Sequence, residues 1–201
     1  GTPVAGARDE IHGYCLNRLF EELVEEPSNI LFTTRTGADT VRYDAMNAGA
    51  ALATGELLVF MNGGDRFPRL STVAEVVSDY HSLHWQWAYG VTVLATEDGS
   101  VSRIHQMAPF SRVRLGLGLA AVPHQSTWMR TEFFRRVGDF DLAAGLSADM
   151  DHCWRAAALA EPRVLPDVLA IAEEGGASAH QAPGYYARAM RKNVRRGHGT
   201  V

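Results

Sequence analysis

Short apolar runs alternate with amphipathic stretches along the chain, and this alternation predicts strands separated by helices. The run "LLVFM" (57–61) is continuous and apolar, as expected for a strand that is covered on both faces. The pattern predicts further strands at 30–34, 87–96 and 163–174, and one that starts within 123–128. Helical periodicity or composition predicts helices at 8–25, 43–55, 71–83, 130–137, 147–160 and 184–196.

The order of these elements indicates the fold class. Strands that alternate with helices are typical of an α/β fold with a largely parallel central sheet. The 201 residues contain no repeat, linker or low-complexity segment, so a single domain is expected. Ser71 and Ser147 are the predicted N-caps of the helices that follow them.

Composition narrows the class of protein. The chain is 46% hydrophobic and 21% charged, as in an ordinary globular domain, and no apolar run approaches the roughly 20 residues of a membrane span. Residues 1–10 do not resemble a signal peptide. Cys15 and Cys153 follow no metal or redox spacing and are expected to be reduced. A cytoplasmic location is therefore expected.

Charge is unevenly distributed. The formal net charge is −4, but no acidic residue follows Glu174, and a short predicted helix carries Arg188, Arg191, Lys192, Arg195 and Arg196. This cluster is too small to indicate nucleic-acid binding. A phosphate-rich ligand, the anionic inner face of the plasma membrane and a merely solvated helix face all remain open.

The segment "NGGD" (62–65) ends the central strand abruptly. In α/β sheets, ligands bind at the carboxyl ends of the strands, so Asp65 is a candidate site residue. The alternative is a turn whose glycines permit positive φ and whose Asp65 caps the next helix.

Other candidate groups lie further along the chain. Asp149 and Asp151 open a predicted helix, where the helix dipole alone favours acids, although a carboxylate there could also accept a proton from a substrate hydroxyl. The loop "EEGGASAHQ" (173–181) offers backbone amides and Ser178 for phosphate, and His180 for a divalent metal. His124 and Gln125 are as consistent with structural polar groups as with substrate contacts.

Three strings occur in order along the chain, and the first is "YDAMNAGAALATGELLVFMNGGD". It is similar to the pattern "YDAMN.G...A.GE...FLN..D" of the family 2 glycosyltransferases of polysaccharide and glycolipid assembly, including bacterial cell-envelope assembly. Downstream, "HQSTWMRTEFFRRVGDFD" with "SADMD", and then "GGAS", resemble later family motifs, so that the likeness spans about residues 30–180. The resemblance implies a GT-A fold, which is a Rossmann-like three-layer sandwich. It also implies a nucleotide-sugar donor, Mn²⁺ or Mg²⁺, a glycan or lipid-linked acceptor and inversion at the anomeric carbon.

The resemblance also implies roles for single residues. Asp65 matches the metal-binding last acid of the family's DXD-like motif, here reduced to Asn62 and Asp65 because Gly64 replaces a frequent acid. Asp149 matches the catalytic base, whereas Asp151 matches a more variable position. The residues that match the nucleotide pocket are Asp39, Asp44 and Asn47, with Val41 where a glycine is usual.

The amino-terminal part departs from the family. The start "GTPVAGARDEI" resembles a later stretch of the family pattern, which implies a domain that lacks its first strands. Two other functions are alternatives. A nucleotidyltransferase would need a glycine- and arginine-rich phosphate loop, which the sequence does not contain. A degenerate domain that binds or scaffolds without catalysis is the remaining alternative.

Overall fold

The computed structural model describes residues 41–96, 98–173 and 184–197. Five strands form one sheet: β1 (Leu57–Val59), β2 (Trp87–Ala95), β3 (Val101–His105), β4 (Thr127–Arg130) and β5 (Arg163–Glu173). The helices are α1 (Val41–Leu52), α2 (Thr72–Leu83), α3 (Arg112–Gly116), α4 (Thr131–Val137), α5 (Ala148–Leu159) and α6 (Tyr185–Gly197). The 3-10 segments His124–Ser126 and Leu142–Ser147 precede β4 and α5. The predicted helix at 8–25 and strand at 30–34 lie outside the described residues.

The predicted α/β fold with a central sheet is confirmed, and helices cover both faces of the sheet. Alternate residues of a strand point to opposite faces. Accordingly, Trp87 and Tyr89 of β2 pack in the core formed with α4 and α5, whereas Ala88 between them packs against Val76 and Tyr80 of α2. The described residues therefore form three layers.

The prediction of a largely parallel sheet is wrong for the described strands. Only β2 and β5 pair in parallel, whereas β1–β4, β4–β2 and β2–β3 are antiparallel. Since β1 and β2 both run antiparallel to β4, they and β5 share one direction, as helical crossovers dictate. Strand β4 lies between β1 and β2 and runs in the same direction as β3, because both are antiparallel to β2; the connection from β3 to β4 passes β2 and contains α3.

This topology brings three chain segments to one edge of the sheet. The carboxyl ends of β1 and β5 lie at the same edge, since both strands run in the direction of β2. The amino end of the reversed strand β4 lies there too, because an antiparallel strand starts where its neighbours end. The turn after β1, the end of β5 and the 3-10 segment before β4 therefore meet.

Two predicted helix caps are corrected. Ser71 and Ser147 occupy the N-cap positions of α2 and α5, but neither side chain caps the helix. The Ser71 hydroxyl donates to Glu75, and the Ser147 hydroxyl donates to the carbonyl oxygen of Ala144. Cys153 is a free, buried thiol, as its isolated position in the sequence predicts. In the ranges described above, none of the helices has the length and apolar character needed to cross a bilayer.

Candidate active site

Asp65 lies in a tight turn just beyond β1. Its carboxylate Oδ2 accepts a hydrogen bond of 2.9 Å from the backbone N–H of Asn62, and its own N–H donates to the Asn62 carbonyl at 3.0 Å. Gly64 has a φ of +90°, a conformation that favours glycine. Arg66 then pairs with Ile171 of β5 through two backbone hydrogen bonds of 2.8 Å, which hold the turn against the end of that strand.

The Asp65 carboxyl group is buried, with 7% of the residue exposed. Burial raises its pKa from 3.8 to about 6, although hydrogen bonds from Asn62 and Gln125 and the charge of Arg42 oppose the shift. The alternative that Asp65 caps the next helix is wrong. Its carboxylate binds back to Asn62, and α2 does not begin until Thr72.

Glu173 is a candidate that the sequence reasoning missed. It ends β5, and a Cβ placed on Gly64 would lie only 2.9 Å from its Oε2 atom. The missing side chain at position 64 thus leaves room for a carboxylate supplied by β5, beside the turn that holds Asp65. The signal available in the sequence was the acidic pair at 173–174, which follows a predicted strand.

The 3-10 segment before β4 places two predicted residues between the acidic groups. The side chain of Gln125 lies next to the Asp65 carboxylate, where it opposes the effect of burial on the pKa of Asp65. His124 stacks on Phe60, with ring centroids 6.3 Å apart, and its Nε2 is buried without a hydrogen-bond partner among the described residues. Burial lowers the pKa of His124, and the charge of Asp149 partly offsets this.

Asp149 lies in the first turn of α5, half-buried beside a small cavity whose lining includes His124, His152 and Cys153. One carboxylate oxygen accepts from the backbone N–H of Met150 at 2.8 Å. The side chain of buried Tyr43 in α1 lies next to Asp149. Burial, with this carboxylate next to it, raises the Tyr43 pKa far above its usual value.

The other groups around this cavity stay neutral. His152 stacks between Phe134 and Phe140, with ring centroids 4.7 Å from each, and burial lowers its pKa to about 3. Burial also raises the pKa of the Cys153 thiol, which disfavours the thiolate. Neither side chain is therefore suited to carry charge at neutral pH, and Asp149 lines the same cavity.

Asp151 has a different environment from Asp149. Its carboxylate forms a 2.9 Å ion pair with Nε of Arg155 and is 8% exposed. The same guanidinium donates to the carbonyl oxygens of Val137 and Asp139 at 2.7 Å each. Asp151 thereby fastens the loop after α4 to α5, which is a structural role.

Of the remaining predicted residues, the structure describes some, and the others lie outside the described residues. Asn47 in α1 donates to the carbonyl of Phe140 at 3.0 Å and accepts from its N–H at 2.9 Å, so its amide holds a core residue. Asp44 is exposed in the first turn of α1. Their nucleotide contacts stay predictions. Asp39, Ser178 and His180 lie outside the described residues.

The site thus has two acidic parts, here termed the Asp65 corner and the Asp149 corner. The adjacent residues His124 and Gln125 lie between them. Gln125 contacts Asp65, and the neighbouring His124 faces Asp149 across the cavity. Arg42 acts electrostatically on Asp65, His124 and Tyr43, so its positive charge lies near both corners. The sequence reasoning did not single out Arg42, which lies next to the family-like string at its amino-terminal end.

The donor set limits what metal the site can hold. In the described part of the chain, no group of three or more His, Cys, Asp or Glu side chains is arranged around a common point. Asp65 and Glu173 offer carboxylate oxygens, which suit a hard divalent cation, but two side chains leave most of its ligand positions to other oxygens. The residues fit a cation that is completed by phosphate.

Two curated relatives come from two strains of Mycobacterium tuberculosis, and both are named uncharacterized glycosyltransferases. Each is 34% identical to this chain over 148 residues, which is 72% of this chain and 55% of the relative. The chain therefore spans about half the length of these relatives. Comparison with models of known protein families gives no match.

Solved structures give a weaker similarity. The crystal structure of residues 1–349 of S. aureus TarS matches with 14% identity and a TM-score of 0.49, over 84% of this chain and 54% of that one. The same protein in complex with UDP matches with 14% identity and a TM-score of 0.47, over 78% of this chain and 51% of that one.

Proposed function

We propose that this chain is the catalytic part of an inverting glycosyltransferase of the family 2 type. It would move a hexose from a nucleotide-sugar donor to a hydroxyl group of a glycan or lipid-linked acceptor, in the assembly of cell-envelope polysaccharide. The curated relatives named glycosyltransferases support the reaction class. The observation that carries the proposal is the adjacency of His124 and Gln125, which joins the Asp65 corner to the Asp149 corner.

Asp149 is the proposed general base. Its carboxylate would accept the proton of the acceptor hydroxyl while that oxygen bonds to the anomeric carbon and the bond from this carbon to the diphosphate breaks. The nucleoside diphosphate leaves with the bonding electrons, and attack from the opposite side inverts the carbon. Tyr43 lies next to the carboxylate and would help to hold it in place, and His152 would not compete for the proton because burial lowers its pKa to about 3.

Asp65 is proposed to work at the diphosphate. Glu173 lies beside it and Arg42 acts on it electrostatically, so this corner can pair carboxylates with a cation and phosphate with a guanidinium. When bound, Mn²⁺ or Mg²⁺ would neutralise the leaving group. His180 and Ser178, predicted from the sequence as metal and phosphate contacts, belong to the same proposal, as do Asp39, Asp44, Asn47 and Asn62 at the nucleotide.

Calorimetry with UDP, in the presence and absence of Mn²⁺, tests the donor site directly. The parent chain should bind Mn²⁺ only together with UDP, because two carboxylates alone supply too few ligands for the cation, and Mn²⁺ should therefore strengthen UDP binding. The Asp65→Ala variant should lose this metal-dependent binding. The matched control is Glu161→Gln, which changes an exposed carboxylate in the loop before β5 and should bind UDP as the parent does.

Two results would count against the proposal. Unchanged UDP binding in Asp65→Ala would remove Asp65 from the donor site. The second result concerns the full-length curated relative. If that protein binds the donor but transfers no sugar to an acceptor, the alternative of a binding or scaffold module is favoured. A panel of nucleotide sugars, screened by thermal stabilisation with Mn²⁺, identifies the donor to use in that assay.

A further inference from the structure

Helix α6 has one face packed on the domain and one face covered with cations. Met190 is fully buried, and Asn193 is 5% exposed and donates to the Ser147 hydroxyl at 3.1 Å. On the outer side, the exposed residues Arg188, Arg191, Lys192 and Arg195 form what is here termed the basic face. The helix carries no carboxylate of its own to neutralise them.

Exposed leucines lie at both ends of this basic face. Leu117 and Leu119 are 42% and 62% exposed. They flank Gly118, where an added Cβ would lie 2.6 Å from the Cα of Ala187, so this turn packs directly on the start of α6. Leu142, which is 49% exposed, lies near the other end of the helix. These three residues are here termed the leucine rim.

Contacts of Arg196 hold the segment around Leu142 against the end of α6. The Arg196 guanidinium lies 3.7 Å from the carboxylate of Asp141 and donates to the carbonyl of Ala143 at 3.4 Å, so both neighbours of Leu142 are attached to the last turn of α6. Asp141 is thereby paired with a cation outside the basic face. The segments that carry the leucine rim therefore lie beside the two ends of the helix that carries the basic face.

We infer that this surface binds an anionic membrane. Cations attract acidic lipid headgroups, and exposed leucines beside them can enter the boundary between headgroups and acyl chains. A phosphate ligand or a nucleic acid would account for the basic face but not for leucines left in water at both ends of it. The combination of charge and apolar side chains therefore favours a bilayer surface as the partner.

Sedimentation with vesicles tests this inference without donor or acceptor, so its outcome is independent of the proposed enzymatic activity. The parent chain should bind vesicles of phosphatidylglycerol and phosphatidylcholine and should not bind vesicles of phosphatidylcholine alone. A basic residue near an anionic surface strengthens binding by about fivefold. The triple variant Arg191→Gln, Lys192→Gln, Arg195→Gln should therefore bind about a hundredfold more weakly.

The leucine rim is tested separately. Replacing Leu117, Leu119 and Leu142 by Ser should weaken binding at least tenfold while the charge is unchanged. The matched controls are Arg103→Gln with Arg136→Gln, and Val101→Ser with Ile104→Ser, which alter exposed residues of β3 and α4. Both controls should bind like the parent, and circular dichroism should show that every variant is folded.

The inference would be overturned by no binding of the parent to anionic vesicles, by equal binding to neutral vesicles, or by equal loss in the control variants. Parent-like vesicle binding by the triple cation variant would also overturn it. A short RNA oligonucleotide serves as the competitor. If it binds the basic face and the vesicles do not, the partner is a nucleic acid instead of a membrane.

Discussion

The carboxylate of Asp151 is held 2.9 Å from Nε of Arg155, whereas Asp149, two residues earlier on the same helix, faces the cavity beside His124. The ion pair with Arg155 thus gives Asp151 an environment that differs from that of Asp149, although the two acids are alike in the sequence. Arg155 also holds the loop after α4 through Val137 and Asp139. One acid therefore stabilises the fold, and the other lines the cavity.

The first prediction separates these two acids. Asp149→Asn should lower turnover by about 10²–10⁴-fold because it removes the general base, while UDP binding and the melting temperature stay close to the parent's. Asp151→Asn should reduce the free energy of unfolding by about 2 kcal/mol, because it breaks a mostly buried ion pair. Turnover and urea denaturation of both variants provide the check. Near-parental turnover in Asp149→Asn would refute the mechanism.

The second prediction concerns the pH dependence of stability. The pKa of Asp65 rises from 3.8 to about 6 on folding, so the folded state holds its proton more tightly than the unfolded chain. The free energy of unfolding therefore falls as the pH rises from 3.8 to about 6, and the loss persists above pH 6. Asp65→Asn removes this cost.

The expected gain for Asp65→Asn is about 3 kcal/mol at pH 7.5 and about 1 kcal/mol at pH 4.5. Urea denaturation of parent and variant at both pH values measures the difference, and each comparison at a single pH cancels the titration of other groups such as His152. A variant that is less stable than the parent at pH 7.5 would contradict the prediction. A buried carboxylate that lowers stability is expected where the residue serves a function.

The third prediction tests Glu173. Glu173→Gln should weaken Mn²⁺-dependent UDP binding by about tenfold, because the cation would lose a nearby carboxylate. Gly64→Ala should have a similar effect, because an added Cβ 2.9 Å from Oε2 would displace the Glu173 side chain. It should also reduce the free energy of unfolding by about 1 kcal/mol, since residue 64 has a positive φ. Calorimetry measures the binding, and parental affinity in both variants would exclude Glu173 from the site.

The fourth prediction asks what Asn47 does. Asn47→Ala removes two hydrogen bonds to the backbone of Phe140 and should reduce the free energy of unfolding by about 2 kcal/mol. Asp44→Ala, at an exposed position on the same helix, should change stability by less than about 0.5 kcal/mol. Thermal denaturation and UDP calorimetry of both variants distinguish the roles. An Asn47→Ala variant with parental stability but weaker UDP binding would make Asn47 a nucleotide contact instead.

Local patterns in the sequence determined most of the secondary structure. The apolar run at 57–61 and the alternating pattern at 87–96 predicted β1 and β2, and the predicted ends of α2 and α5 lie within one residue of the observed ends. These features depend on neighbours close in the chain, which a sequence displays directly. The same patterns located the turn that holds Asp65, because an apolar run followed directly by two glycines is visible in consecutive residues.

Contacts between distant segments were decided only by the tertiary structure. The sequence could not show that β4 runs against β1 and β2, because its direction follows from pairing with strands that are distant in the chain, and that reversal brings Gln125 to Asp65. Nor could it show that Arg155 engages Asp151 or that Glu173 approaches Gly64. Two acids in one helical turn have the same local sequence environment, and only the packing of other elements around the helix gives them different partners.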